Sequence, residues 1–76
     1  MSPWKVVGFE FTESESGEEG IRLFVERPAA GESMQGMETE RHYYKPKYVK
    51  YDPHIGDLVV VVKGRYGIQE IIVINI

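Results

Sequence analysis

Seventy-six residues without a cysteine fit one domain, 1–76, near the lower limit for a chain that folds alone, and exclude disulfides and thiolate metal sites together. The 42% apolar and 12% aromatic fractions exclude disorder, and a core this small supplies only roughly 3–5 kcal/mol, so self-association is the expected supplement. Net charge is −3, yet residues 1–40 set three basic side chains against nine glutamates (−6), while residues 41–76 set six against three acids (+3).

Lys5–Phe11 alternates, with Val7, Phe9 and Phe11 on one face and Val6, Gly8 and Glu10 on the other, as a half-buried strand does. Thr12–Gly20 is acidic and punctuated by Gly, hence a solvated loop, and beside a bound nucleic acid it should point away from the strand or repel duplex. Ile21–Glu26 alternates again, with Ile21, Leu23 and Val25 inward and Arg22, Phe24 and Glu26 outward. Pro28–Gly36 reads as a surface loop and Met37–Tyr44 as a third strand. Pro46 interrupts it, and a short extended piece follows over Tyr48–Tyr51. The Asp52–Asp57 stretch has turn chemistry. Leu58–Lys63 is apolar on both faces, Gly64-Arg65-Tyr66-Gly67 is a tight hairpin turn, and Ile68–Ile76 is the last strand.

No window shows a sustained helical apolar period. The expected fold is therefore all-β, a small five-stranded antiparallel barrel, OB-like first and SH3-like second. Met1–Gly8 has no basic-then-apolar leader pattern, and the longest apolar run is Leu58–Val62, so a cytoplasmic protein without a membrane span is expected. An Ile-rich edge needs a cover, which makes a homodimer through the last strand the expected assembly.

Catalysis finds no constellation. The serines lie near the terminus or in loops without a nearby His, and His42 and His54 match no metal-ligand spacing. Gly64–Gly67 is too short for a phosphate loop and leads into a strand. No catalytic residue, metal site or cofactor is expected.

The densest chemical signal is RHYYKPKYVKY, residues 41–51, which holds four of the five tyrosines interleaved with cations. Single-stranded nucleic acid is held by cations along its phosphates and aromatic rings under its bases. On this reading Arg41, Lys45, Lys47, Lys50 and Arg65 contact phosphates, while Tyr43, Tyr44, Tyr48 and Tyr66 stack on bases. Arg22 and Phe24 would extend the same face. A packing reading stands beside it. Tyr half-buries well on strands, Lys and Pro blunt an edge, and Phe24 can cover the gap left by Gly8 on its neighbour.

From Gly56-Asp57 through Val59–Val62 to Gly64-Arg65-Tyr66-Gly67 and Ile71–Val73, the chain resembles the KOW-type segment of ribosomal and transcription-elongation barrels, with a shorter turn. In strand order, in Tyr51-Asp52-Pro53 with Gly56-Asp57 and in Arg65-Tyr66-Gly67, it is similar to small OB-fold-like single-strand-binding proteins of Gram-positive phages and mobile elements. That resemblance implies single-stranded DNA or RNA as the partner. The competing expectation is a protein-interaction or assembly module using the Ile-rich last strand or the Tyr cluster.

Overall fold

Five strands form in the order the alternation predicts, and their lengths reflect how far each can pair. In the computed structural model, which describes residues 3–28 and 36–74, β1 spans Trp4–Glu13, β2 Glu19–Pro28, β3 Met37–Tyr44, β4 Leu58–Gly64 and β5 Gly67–Val73. Most of the expected loop after Pro28, and Ile76 at the end of the last strand, lie outside the described residues. All pairings are antiparallel, in the single sheet order β3-β2-β1-β4-β5. This is a Greek key, three hairpin-connected strands with the fourth returning beside the first.

Leu23, Val6, Val25 and Val59 are the largest fully buried side chains, joined by Trp4, Ile21, Tyr44, Val49, Tyr51 and Ile71. On β2 the inward set Ile21, Leu23 and Val25 is the one expected from period two. On β1 it is not. Val6 is 0% exposed and Val7 40%, the reverse of simple alternation. The register explains this. Val6 pairs with Val25 and Gly8 with the next residue back, Phe24, leaving Val7 without a partner. One extra residue in a strand is a β-bulge, and it switches the side-chain phase. Trp4, Val6 and Phe9 thereby reach the same core.

The sheet curls without closing. The Cα atoms of β3 and β5 come within 8 Å, but no ladder joins these two strands among the described residues. The expected closed barrel is thus reduced to a curled, open sheet. The connection from β3 to β4 accounts for the gap. Instead of the extended piece expected over Tyr48–Tyr51, the amides of Tyr48 and Val49 both donate to the Lys45 carbonyl, at 2.9 and 3.0 Å, and turn the chain. Residues 48–50 then lie beside Gln69–Ile71 of β5. Val49, Tyr51 and Pro53 are buried there.

Two hydroxyls hold this plug. Tyr44 donates to the Tyr51 carbonyl at 2.9 Å, and the Tyr51 hydroxyl donates to Asp57 Oδ2 at 2.7 Å. Burial is the main cause pushing the Tyr44 phenol up to about 12, with the Asp52 charge adding to it. Both phenols stay protonated and donating across the physiological range.

The bulge is checked by paired truncations. Val6→Ala should cost about 2–3 kcal/mol and Val7→Ala about 0.5 or less in urea unfolding. Equal losses, or the reverse order, would contradict the register.

Candidate nucleic-acid interface

Cross-strand pairing decides which of the eleven candidate side chains meet. On the outer face of β2 and β3, Arg22 stands opposite Tyr43 and Phe24 opposite Arg41. Two cations and two rings therefore alternate across a pair of neighbouring strands. The sheet beneath has two missing side chains. A Cβ on Gly8 would lie 3.6 Å from Phe24 Cδ2, so the Phe24 ring covers that glycine. At Gly20 the Tyr43 ring occupies the space a Cβ would need, and any larger residue there must displace it.

Tyr43 also borders a groove of about 580 Å³ between the end of β3 and the β4–β5 hairpin. Lys45, Tyr48, Arg65 and Tyr66 line it with Tyr43, and Val49 and Ile68 add apolar surface. Arg65 and Tyr66 occupy the two-residue tip between Gly64 and Gly67, which pair with each other. Gly67 has φ of 115°, a conformation that L side chains rarely adopt and that closes this tight turn. Tyr66 is 95% exposed, Tyr48 68% and Tyr43 47%, so all three rings have free faces.

Other candidates fall elsewhere. Tyr44, expected among the stacking rings, is 3% exposed and packs against Tyr51 with ring centroids 6.2 Å apart. Adjacent strand residues point to opposite faces, so Tyr43 and Tyr44 cannot both face solvent. Lys50 borders the depressions beside Asp52 and beside Glu70, not this groove. Lys47 lies with Nζ 5.7 Å from the Tyr48 ring centroid, a cation–π distance.

Several of the cations are already engaged. Arg22 is ion-paired with Glu10, its neighbour on β1. Lys45 Nζ lies 2.9 Å from Glu18 of the acidic loop, and this hydrogen bond is the main cause raising the lysine above its ordinary range. The loop therefore leans toward the candidate surface instead of pointing away from it. Arg41, Lys47 and Arg65 have no ion pair among the described residues.

The imidazoles are apart from this surface. His54 is exposed, 3.9 Å from Asp57. His42 faces inward on β3, edge-on to Trp4 at 6.2 Å, with its Nε2 buried and without a hydrogen bond. Arg27, which sequence reasoning passed over, stacks its guanidinium 4.0 Å from the Trp4 ring centroid and bonds Glu38. Its inward period-two position after Val25 was the available signal. No group of His, Cys, Asp and Glu side chains gathers as metal ligands among the described residues, and no helix there is long and apolar enough to cross a membrane.

Comparison with protein-family models, curated proteins and solved structures gives no match, so the chemistry of this surface rests on its own residues.

Burial is the main cause lowering the His42 imidazole below its ordinary 6.5, with Lys63 adding to it and Glu40 opposing. The unfolded chain then takes up the proton more readily than the folded one, so stability is full above pH 6.5 and falls as the pH drops below it. Urea unfolding at pH 7.5 and 5.5 should show this loss, and His42→Phe should diminish it. An unchanged pH dependence in the variant would assign the loss to other groups.

Proposed function

We propose that this protein is a non-catalytic binding module that holds single-stranded DNA or RNA without strong sequence preference. The observation that carries this reading is the meeting of Tyr43, Tyr48 and Tyr66 with Lys45 and Arg65 in one groove, continuous with the Arg22–Tyr43 and Phe24–Arg41 pairs. Exposed rings supply stacking worth about 1–3 kcal/mol per base, and the neighbouring cations follow the phosphates. Lys47 lies at the edge of this path, where it can add one more charge.

The Greek-key order favours the OB-like reading, because an OB barrel is a partly open five-stranded Greek key. Such a barrel binds through the face of strands two and three and the loops between strands one and two and between strands four and five, of which the 1–2 loop is acidic here. Strands two and three and the 4–5 turn carry Arg22, Phe24, Arg41, Tyr43, Arg65 and Tyr66. Glu18 sits on Lys45, so an incoming phosphate competes with a carboxylate already in place. Affinity should be modest and should fall steeply with salt.

Titrating a thymidine or uridine oligonucleotide at low salt while following tyrosine emission tests the reading. Quenching should saturate, with a log–log salt slope of about −0.7 per phosphate neutralised. Tyr66→Ala and Arg65→Ala should each weaken binding about tenfold, because both side chains are lost from a solvated tip without disturbing the core. Absence of quenching at tens of micromolar would end this reading.

A second surface favours a partner of another kind. Val60 pairs with Ile72 and Val62 with Glu70 on the outer face of β4 and β5, and Ile72 is 44% exposed on an edge strand. The proposed occupant is a second copy of this chain. Sedimentation should show a dimer at micromolar concentration that Ile72→Lys converts to monomer. Monomer alone in the unaltered protein would remove it.

A further inference from the structure

A second cavity lies between the β1–β2 hairpin and the Pro46–Asp52 segment, where the curled sheet is left uncovered. It is an open cleft of about 830 Å³, within the range of small-ligand clefts. Its apolar lining comes from Phe11, Ile21, Val49 and Tyr51. Ile21, Val49 and Tyr51 are core residues, so the cavity opens directly onto the core.

Phe11 is the anomaly. It pairs with Ile21 and follows Phe9 by two residues, which places it on the inward face, yet it is 73% exposed. Its only aromatic neighbour among the described residues is Phe9, edge-on with centroids 5.7 Å apart. Most of this large ring, on the core side of the sheet and beside an open cleft, is therefore left in water.

Charge at the mouth selects the occupant. Glu13 and Glu19 stand directly opposite each other across β1 and β2, two residues beyond Phe11 and Ile21 on the same face. Like charges in that position are destabilising. Asp52 lines the same cavity, and Lys50 is the one cation lining it among the described residues. Carboxylates around exposed rings match an organic cation, which the rings attract by their faces and the acids by charge. A metal ion fits less well, because no set of His, Cys, Asp and Glu side chains there is grouped as ligands.

The geometry points to this cavity as a binding site for a small free amine carrying an apolar or aromatic body. The body lies against Phe11 and Tyr51, and the ammonium sits between Glu13 and Glu19. Occupation relieves the carboxylate repulsion and covers the Phe11 ring. This site borders the nucleic-acid groove at Val49, but its proposed contacts, Phe11, Tyr51, Glu13 and Glu19, are not part of that groove and the proposal does not depend on it.

Tryptamine and indole-3-propionate carry the same ring with opposite charge and serve as probes. Titration of the full chain, followed by amide chemical shifts, should move Phe11, Gly20, Ile21 and Tyr51 saturably with tryptamine, at least tenfold more tightly than with the anion. Glu13→Gln with Glu19→Gln should weaken tryptamine about tenfold, leave the anion unchanged, and raise the thermal midpoint of the unliganded protein. Phe11→Ser, at an exposed ring, should abolish the response while the protein stays folded. Equal affinity for the two probes, shifts centred on Tyr43 and Tyr66, or no saturable shift would each overturn the assignment. So would binding of a lysine-rich peptide at these residues with no response to tryptamine.

Discussion

A single unpaired residue in the first strand governs how this small sheet is used. Val7 has no partner on β2, and the phase change it introduces lets Trp4 and Val6 before it and Phe9 after it share one core. Without the switch, either Trp4 and Val6 or Phe9 would be turned away from the core. A bulge also bends its strand and increases the local twist. The β1–β4 ladder is confined to Trp4 and Lys5, extended by the Val6 amide to the Asp57 carbonyl and the Gly56 amide to the Val6 carbonyl. Beyond the bulge β1 runs on with β2 alone, and the sheet curls.

Both candidate sites follow from that departure. Where the β1–β2 hairpin leaves β4 behind, the inward Phe11 has nothing over it and a cavity opens. Where β3 ends short of β5, the connection through Val49 and Tyr51 plugs the core and leaves the tyrosine-lined groove at its border. Incomplete closure is costly to a chain with so small a core. The Tyr44–Tyr51–Asp57 hydrogen bonds offset part of that cost by tying the plug to β3 and to the start of β4.

Charge separation along the chain becomes a contact in space. The glutamate-rich hairpin loop touches the basic segment through Glu18 and Lys45, and Glu10 neutralises Arg22 on the outer face. Of the candidate cations on that side, Arg41, Lys47 and Arg65 remain without an ion pair among the described residues, a smaller set than the eleven-residue basic and aromatic cluster promises. On the proposed reading, such a surface favours a flexible single strand over a stiff duplex, since rings and a few cations reward exposed bases more than dense phosphates.

Reading along the chain was enough to establish the strand content, the inward set on β2, the hairpin at Arg65-Tyr66 and the concentration of rings and cations after residue 40. These are local properties, carried by period two and by Gly and Pro turn chemistry. Alternation failed at Val6 and Val7 because a bulge is defined by the partner strand, and the extended piece expected over Tyr48–Tyr51 gave way to a turn because one carbonyl of Lys45 captures two amides. Sequence placed Tyr43 and Tyr44 together in the site, but a pleat sends neighbours to opposite faces, and pairing with β2 buried the second. The ion pairs of Lys45 and Arg22, the covering of Gly8 and Gly20, and the uncovered Phe11 all depend on residues far apart in sequence. Only the folded sheet brings those residues within reach, so distance along the chain holds no record of them.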